Sequence, residues 1–289
     1  MPSMKAIKRR RMSVSSISQI MKAMDLVAAS KLQRAKERLV SVRPLVENTG
    51  RVMDSVRASD QTTDNIFVRE REVVRRSAFV VITGDRGLCG GYNTNAAKEA
   101  LRVMKDKNEI IIAVGKKGYE YFRRQRKNLS HRHDGVSDAL TYADAQKIRK
   151  LLTELYTSAD PEKRIDEAYI VYTGFEGMLT HIPKAQRLLP IGSVSGEEAD
   201  TTAAAQMEYE PDINTFLEHA IPMYLEVCIY GAMLESAVCE HAARMMSMEA
   251  ASKNAEEIIE DLTLSYNRAR QGAITQELNE IVSGANALV

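Results

Sequence analysis

Residues 213–248 read INTFLEHAIPMYLEVCIYGAMLESAVCEHAARMMSM, and the spacing of their apolar positions decides the fold. Alternating steps of four and three from Ile213 reach Leu217, Ala220, Tyr224, Val227, Gly231, Leu234, Val238, His241, Met245 and Met248. The series continues through Ser252, Ala255, Ile259, Leu262, Tyr266, Ala269 and Ala273 without a skipped step. Apart from His241 and Ser252, every stop is apolar, aromatic or tiny. A seam of period 3.5 held this long predicts a coiled coil. Its small members let a partner backbone come close. Beyond Ala273 the same steps would meet Gln276 and Glu280, whereas the apolar stripe restarts at Ile274, Leu278, Ile281, Ala285 and Leu288. The tail therefore turns a new face toward a different partner. As one helix the segment is about 110 Å long, more than an ordinary globular core accommodates.

Residues 4–57 predict a second long helix, with an apolar stripe through Val14, Ile17, Met21, Met24, Ala28, Leu32, Ala35, Leu39, Val42, Val46, Met53 and Val56. An extra step of four at Ala28–Leu32 reads as a stutter that locally unwinds a supercoil. Pro44 here, and Pro222 in the later helix, each remove a helical hydrogen bond and bend their rods.

Charge joins the two ends. The formal net charge is only +1. Residues 1–57 nevertheless carry 13 Lys/Arg against 4 Asp/Glu, and residues 208–289 carry 4 against 14, so they stand at +9 and −10. A basic arm alone would suggest nucleic acid; with this partition the ends suit each other, and no nucleic-acid partner is expected. An antiparallel pairing that sets residue 57 beside residue 211 makes facing numbers sum to roughly 268. It places Lys8, Arg9, Arg10 and Arg11 opposite Glu256, Glu257, Glu260 and Asp261. Exposed ion pairs are worth about 0–1 kcal/mol each, so they select orientation more than they stabilise. In that register the first helix ends opposite about residue 264, and the last stretch projects as a lone helix with an apolar stripe that needs another protein.

Aromatic residues make up 6% of the chain, with no Trp and 14 Met, which suits long helices better than a β-sandwich. Cys89, Cys228 and Cys239 have no metal or disulfide spacing, and a reducing compartment is the default. The basic start lacks the continuous apolar run of a signal peptide, and no apolar run reaches transmembrane length. The expectation is a soluble chain, or one that meets a membrane only through partners.

Between the rods the grammar changes. Residues 58–70 are polar and turn-like, beginning with the run 58–65, and mark a boundary. From Ser77, short apolar runs at 78–83, 109–114, 129–133, 168–172 and 184–189 alternate with helical patterns at 95–105, 117–127 and 142–158. This order predicts an open, mostly parallel sheet covered on both faces. The last strand follows with no helix and is an antiparallel edge. The fold class is thus α/β plus long helices: an antiparallel two-helix coiled coil of the terminal segments with an inserted Rossmann-like domain. Its parts are residues 1–58, 75–195 and 209–289.

The one chemical candidate is Thr83-Gly84-Asp85-Arg86-Gly87-Leu88-Cys89-Gly90-Gly91-Tyr92-Asn93, a glycine-rich turn leaving a strand. Phosphates bind such turns. Here the glycines run G-x-x-G-x-x-G-G, and no Lys followed by Ser or Thr closes a phosphate loop. A tight turn at a contact surface fits better, and no cofactor is expected. His131 and His133 share one strand face but have no third ligand nearby. No nucleophile–base set can be assembled from neighbours, so no catalytic, cofactor or metal residue is assigned.

Three stretches resemble the gamma subunit family of the F-type ATP synthase, of bacterial type, along essentially the whole chain. They are Met21-Lys22-Ala23-Met24-Asp25-Leu26-Val27-Ala28-Ala29-Ser30-Lys31, Gly84 to Asn93, and Ile274-Thr275-Gln276-Glu277-Leu278-Asn279-Glu280-Ile281-Val282-Ser283-Gly284-Ala285. Ala242-Ala243-Arg244-Met245-Met246 supports them. The resemblance implies a non-catalytic central-stalk rotor that couples ion-driven rotation to cycling of catalytic subunits, and the reverse in hydrolysis. It implies alpha and beta subunits, an epsilon subunit and a membrane ring of c subunits as partners, at the cytoplasmic face of the cell membrane. By position, Lys22, Met24, Leu88, Cys89, Arg270, Gln271 and Thr275 would touch catalytic subunits. Ser283, Ala285, Leu288 and Val289 would form a bearing tip, and Tyr209 would lie on the epsilon and rotor-ring side. A coiled-coil scaffold with an inserted α/β domain and no part in energy conversion is the competing reading.

Overall fold

The computed structural model describes residues 3–57, 65–135, 140–192 and 212–286. The chain divides into two compact units, residues 30–243 and residues 1–29 with 244–289. The element order is α1 (Met4–Arg57), β1 (Ser77–Ile82), α2 (Tyr92–Val103), β2 (Glu109–Val114), α3 (Lys116–Arg124), β3 (Leu129–His133), α4 (Tyr142–Tyr156), β4 (Glu167–Phe175), β5 (His181–Leu189) and α5 (Ile213–Asn286).

The larger unit holds a five-stranded sheet in the order β3-β2-β1-β4-β5. β1 pairs in parallel with β2 and β4, β2 with β3, and β5 runs antiparallel to β4. The runs 77–82 and 109–114 bury almost every side chain because helices cover both faces. Phe79, Val81, Ile111 and Val171 meet Ala97, Ala100, Met104 and Phe122 in one core cluster. The segment before β1 is pinned by Asp166, which accepts Arg71 Nη1 at 2.6 Å and the backbone N–H groups of Arg75 and Arg76 at 2.8 and 3.1 Å. Beside it Glu167 accepts Ser77 Oγ at 2.6 Å, Tyr169 OH at 2.9 Å and the Lys107 ammonium.

The predicted seam of α5 is its least exposed face. All its stops from Ile213 to His241 are buried, as are Met248, Ser252 and Ala255, and Ile259, Leu262, Tyr266, Ala269 and Ala273 are half-buried. Asp212 starts the helix by accepting the N–H groups of Asn214 and Thr215 on Oδ1, at 2.8 and 3.1 Å. α5 also contains an 18-residue window of mean hydropathy 1.2, apolar enough by composition to cross a membrane. This corrects the expectation that no run reaches that threshold. The window is 78% buried within the protein, as a core helix would be.

Two expectations for α1 are corrected. Among its protected positions a continuous line runs through Ile7, Arg11, Val14, Ser18, Met21, Asp25 (with Met24), Ala28, Leu32, Ala35, Leu39, Val42, Val46, Thr49, Met53 and Val56. These alternate by fours and threes throughout, so the stutter is absent. Ile17 is 44% exposed, while Ser18 takes the seam at 5%. Apolarity misled here because polar Ser18, Asp25 and Thr49 occupy seam positions. The register is also corrected. In the smaller unit Lys22 Nζ meets Glu256 Oε1 at 2.7 Å, and the Arg11 guanidinium lies 5.7 Å from the Tyr266 ring centre. Facing numbers there sum to 277–278, nine or ten above the expected 268, so Lys8–Arg11 do not face Glu256–Asp261. That expectation aligned the inner ends of the two helices, and the ends do not coincide.

Candidate functional site

In the larger unit, the glycine-rich turn closes the carboxyl end of β1. The Thr83 hydroxyl donates to Val114 O at 3.0 Å and accepts Gly118 N–H at 2.9 Å. Asn93 Oδ1 accepts Gly84 N–H at 2.8 Å, and its Nδ2 donates back to Arg86 O at 3.2 Å. Asp85 accepts the N–H groups of Lys116 and Gly135, each at 3.0 Å, tying the turn to the ends of β2 and β3. Leu88 and Gly90 hold φ values of +61° and +55°. Leu88 stands 62% exposed, whereas Cys89 is 1% exposed and packs on Tyr92 and Cys239. Of the two turn residues expected at a contact surface, only Leu88 faces outward.

In open α/β sheets a ligand enters where strand order reverses, beyond the carboxyl ends of the strands. Here that crevice, between β1 and β4, is filled by α5. Ser236 Oγ accepts Thr173 N–H at 3.1 Å, Glu235 Oε2 accepts Phe175 N–H at 3.3 Å, and Cys239 Sγ donates to Thr173 O at 3.5 Å. The buried Glu240 carboxylate lies against Gly84, within 2.7 Å of where a β-carbon would sit. A carboxylate of the chain itself occupies the place in which a phosphate would approach the glycine backbone. Burial, together with the nearby Glu240 charge, pushes the Tyr92 phenol well up, against an opposing hydrogen bond with Ser236. Burial pushes the thiols of Cys228 and Cys239 up to about 12, so both stay protonated at neutral pH.

A second attachment lies about two and a half to four turns earlier on α5. Glu226 accepts Tyr142 OH at 2.9 Å, Arg149 Nε at 3.0 Å and Gln146 Nε2 at 3.5 Å, all from α4. Arg149 Nη2 also reaches it at 2.9 Å, and Tyr142 packs edge-on to Tyr230. Burial and the Glu226 hydrogen bond lift the Tyr142 phenol to about 12. On α1, Arg38 Nη1 donates to Leu140 O at 3.3 Å. Sequence reading missed these residues. Their signal was three carboxylates, Glu226, Glu235 and Glu240, set in an otherwise apolar run. It also missed an open apolar cleft of about 500 Å³ lined by Val52, Met53, Phe216, His219, Ala220 and Met223. His133 Nε2 contacts Asp144 at 3.1 Å and His131 Nδ1 contacts Ser130 at 2.7 Å, so the two imidazoles have different partners.

The smaller unit holds the other expected contact residues. Lys22 is exposed and paired with Glu256, and Met24 is half-buried. Arg270, Gln271, Thr275 and Ser283 are exposed on α5. Ile274, Leu278, Ile281 and Val282 expose 48–67% of their surface, an apolar stripe with no covering partner among the described residues. Ala285 lies in the last turn of α5. Tyr209, Leu288 and Val289 fall outside the described residues.

A family model described as ATP synthase matches residues 3–288. The ATP synthase gamma chain of Alkaliphilus metalliredigens is 41% identical over 289 residues, covering 99% of this chain and 98% of that one. That of Heliobacterium modesticaldum is 38% identical, with both chains fully covered. Among solved structures, a chain of the Euglena gracilis mitochondrial ATP synthase superposes with a TM-score of 0.72 at 18% identity, covering 99% of this chain and 94% of that chain. One from the central stalk and c-ring of the Tetrahymena thermophila enzyme gives 0.63 at 23% identity, covering 81% and 99%. These two speak to the fold. With a mixed α/β unit, a long carboxyl-terminal helix and relatives matched end to end, the chain belongs to the ATP synthase gamma chain family.

Proposed function

We propose that this chain is the central-stalk rotor subunit of a rotary ATP synthase. It carries rotation from an ion-driven membrane ring to the catalytic subunits, and the reverse during hydrolysis, without making or breaking bonds itself. The observation that carries this reading is the division of labour along α5. Between Glu226 and Glu240 the helix is fastened to the α/β unit by buried carboxylates, whereas from Ile274 to Val282 it bares an apolar stripe. One stretch grips a domain that can be pushed; the other is finished for a socket.

In this reading residues 1–58 and 209–289 form an antiparallel coiled coil, and residues 75–195 form an inserted Rossmann-like domain. The Lys22–Glu256 pair and the period-3.5 seams of both helices support the pairing. Lys22, Met24, Leu88, Arg270, Gln271 and Thr275 face the beta subunits of an alpha–beta hexamer. Cys89 supports Leu88 from inside the turn. Ser283, Ala285, Leu288 and Val289 run as an uncharged bearing tip, suited to turning because it offers no charge that prefers one angle. The α/β domain and the region of Tyr209 hold the epsilon subunit and the ring of c subunits. The protein is peripheral, at the cytoplasmic face of the membrane through these partners.

The test is the composition of the native complex. One copy of this chain per three pairs of larger nucleotide-binding subunits is expected. Symmetric self-association without such subunits would favour a scaffold and overturn the proposal.

A further inference from the structure

Two orphaned polar atoms lie in the smaller unit. Asp25 Oδ1 and Ser252 Oγ are both buried, and neither has a hydrogen-bond partner among the protein's atoms. Ser252 is 8% exposed. The Lys22–Glu256 and Arg11–Tyr266 contacts fix facing residues at a sum of 277–278. Residue 25 therefore faces residue 252. The two make no direct hydrogen bond, and one water between facing groups would satisfy both.

We infer that Asp25 and Ser252, bridged across the seam, form a polar register lock that fixes the axial setting of the two helices. This rests on the antiparallel pairing proposed above. A slip of one heptad in either direction would set Asp25 against Met245 or Ile259. The register expected from sequence alone would set it against Ala243. Each alternative buries a carboxylate edge against a side chain that offers no donor, which is strongly disfavoured. The native setting alone supplies a hydroxyl. A single polar pair in an apolar seam is a known way of selecting one register at some cost in stability. For a shaft under torque the consequence is direct: the two helices cannot creep past each other. Asp25 and Ser252 are positioning residues in this scheme, with no contact to nucleotide.

The experiment uses cysteine pairs in the assembled complex. Lys22→Cys with Glu256→Cys reports the native register. Lys22→Cys with Glu249→Cys, or with Thr263→Cys, reports a slip of one heptad either way. The native cysteines are buried. With Asp25 and Ser252 in place, only the native pair should be joined by a short bifunctional thiol reagent, which spans the gap that the two long side chains bridge and a direct disulfide, needing α-carbons within about 7 Å, does not. Asp25→Leu with Ser252→Ala should raise a shifted pair by about tenfold or more, the factor expected once about 1.4 kcal/mol of register preference is lost. Asp25→Asn, which still bonds a bridging water, should retain the native pair alone. If the native pair closes and the shifted pairs stay silent in the Leu/Ala variant, the lock is wrong while the pairing stands. If the native pair fails to close with the seam intact, the pairing itself is wrong.

Discussion

Glu240 lays its carboxylate over the bare Cα of Gly84, so a β-carbon there would come within 2.7 Å of the side chain. A turn of the kind that elsewhere receives phosphate is sealed by the helix that leads into the shaft. The same contact connects the first strand of the sheet to the middle of α5. Gly84→Ala should therefore loosen the grip of α5 without touching any ligand. Overpacking at a buried site costs about 1–3 kcal/mol, and a fall in the unfolding midpoint of the isolated chain would report it. A fully tolerated Gly84→Ala would mean that Glu240 can turn aside.

Glu226→Ala should cost about 2–3 kcal/mol. Removing it strands Arg149 and Tyr142 at a largely buried contact, but Arg149 keeps 25% of its side chain in solvent, which tempers the loss below that of a fully buried pair. In the assembled enzyme the expected consequence is less ion pumping per ATP hydrolysed, because α4 no longer holds α5. Unchanged stability and unchanged pumping would remove this contact from the transmission path.

Acid should attack the α/β unit through Asp166 and Glu167. Burial alone would raise both carboxyls. Hydrogen bonds from Arg75 N–H, Arg71 and Arg76 N–H outweigh it for Asp166, and those from Lys107, Ser77 and Tyr169 do so for Glu167, so both lie below their usual values. A depressed folded value contributes stability that is fully present above the unfolded carboxylate range of about 4. That stability disappears as the pH falls through the lower folded value. Asp166→Asn with Glu167→Gln should lower stability at neutral pH and flatten the acid limb of a stability–pH curve. An acid limb of unchanged slope would show that other carboxylates govern it.

The apolar stripe at the end of α5 should matter to assembly rather than to folding. Ile274, Leu278 and Ile281 are exposed, so Ser at all three should leave the midpoint of the isolated chain nearly unchanged, as surface substitutions do. Incorporation into the complex should fall. Normal incorporation would show that the stripe faces water there too.

The positions and directions of the strands, though not their order in the sheet, were legible in the sequence because each buried run is short and bounded by turn residues. The seam of α5 was legible because eighteen stops share one period. The face of α1 at Ser18 and Asp25 was not, since hydrophobicity cannot reveal a polar residue that sits on the seam. Register was not legible either: charge blocks fix orientation, but only paired side chains such as Lys22 and Glu256 fix the setting. The attachment of α5 was hidden because Glu226, Glu235 and Glu240 look like exposed flank positions until α4 and β4 are seen against them. In the turn, the alternation at Leu88 and Cys89 depended on a left-handed φ that a leucine does not advertise.

Gly231 allows a test of close helix approach in the larger unit, where a β-carbon would meet Val46 Cγ2 at 2.8 Å. Glycine inside a helix costs about 1 kcal/mol relative to alanine, so its presence midway along α5 needs a compensating reason. Gly231→Ala regains that propensity but pushes on Val46, and overpacking costs about 1–3 kcal/mol. The net change should lie between neutral and about 2 kcal/mol of destabilisation. Val46→Ala removes the clash, so the double variant should be less destabilised than the two single changes predict when summed, since neighbouring residues couple. Simple additivity in thermal unfolding would mean that α1 and α5 do not touch at this level.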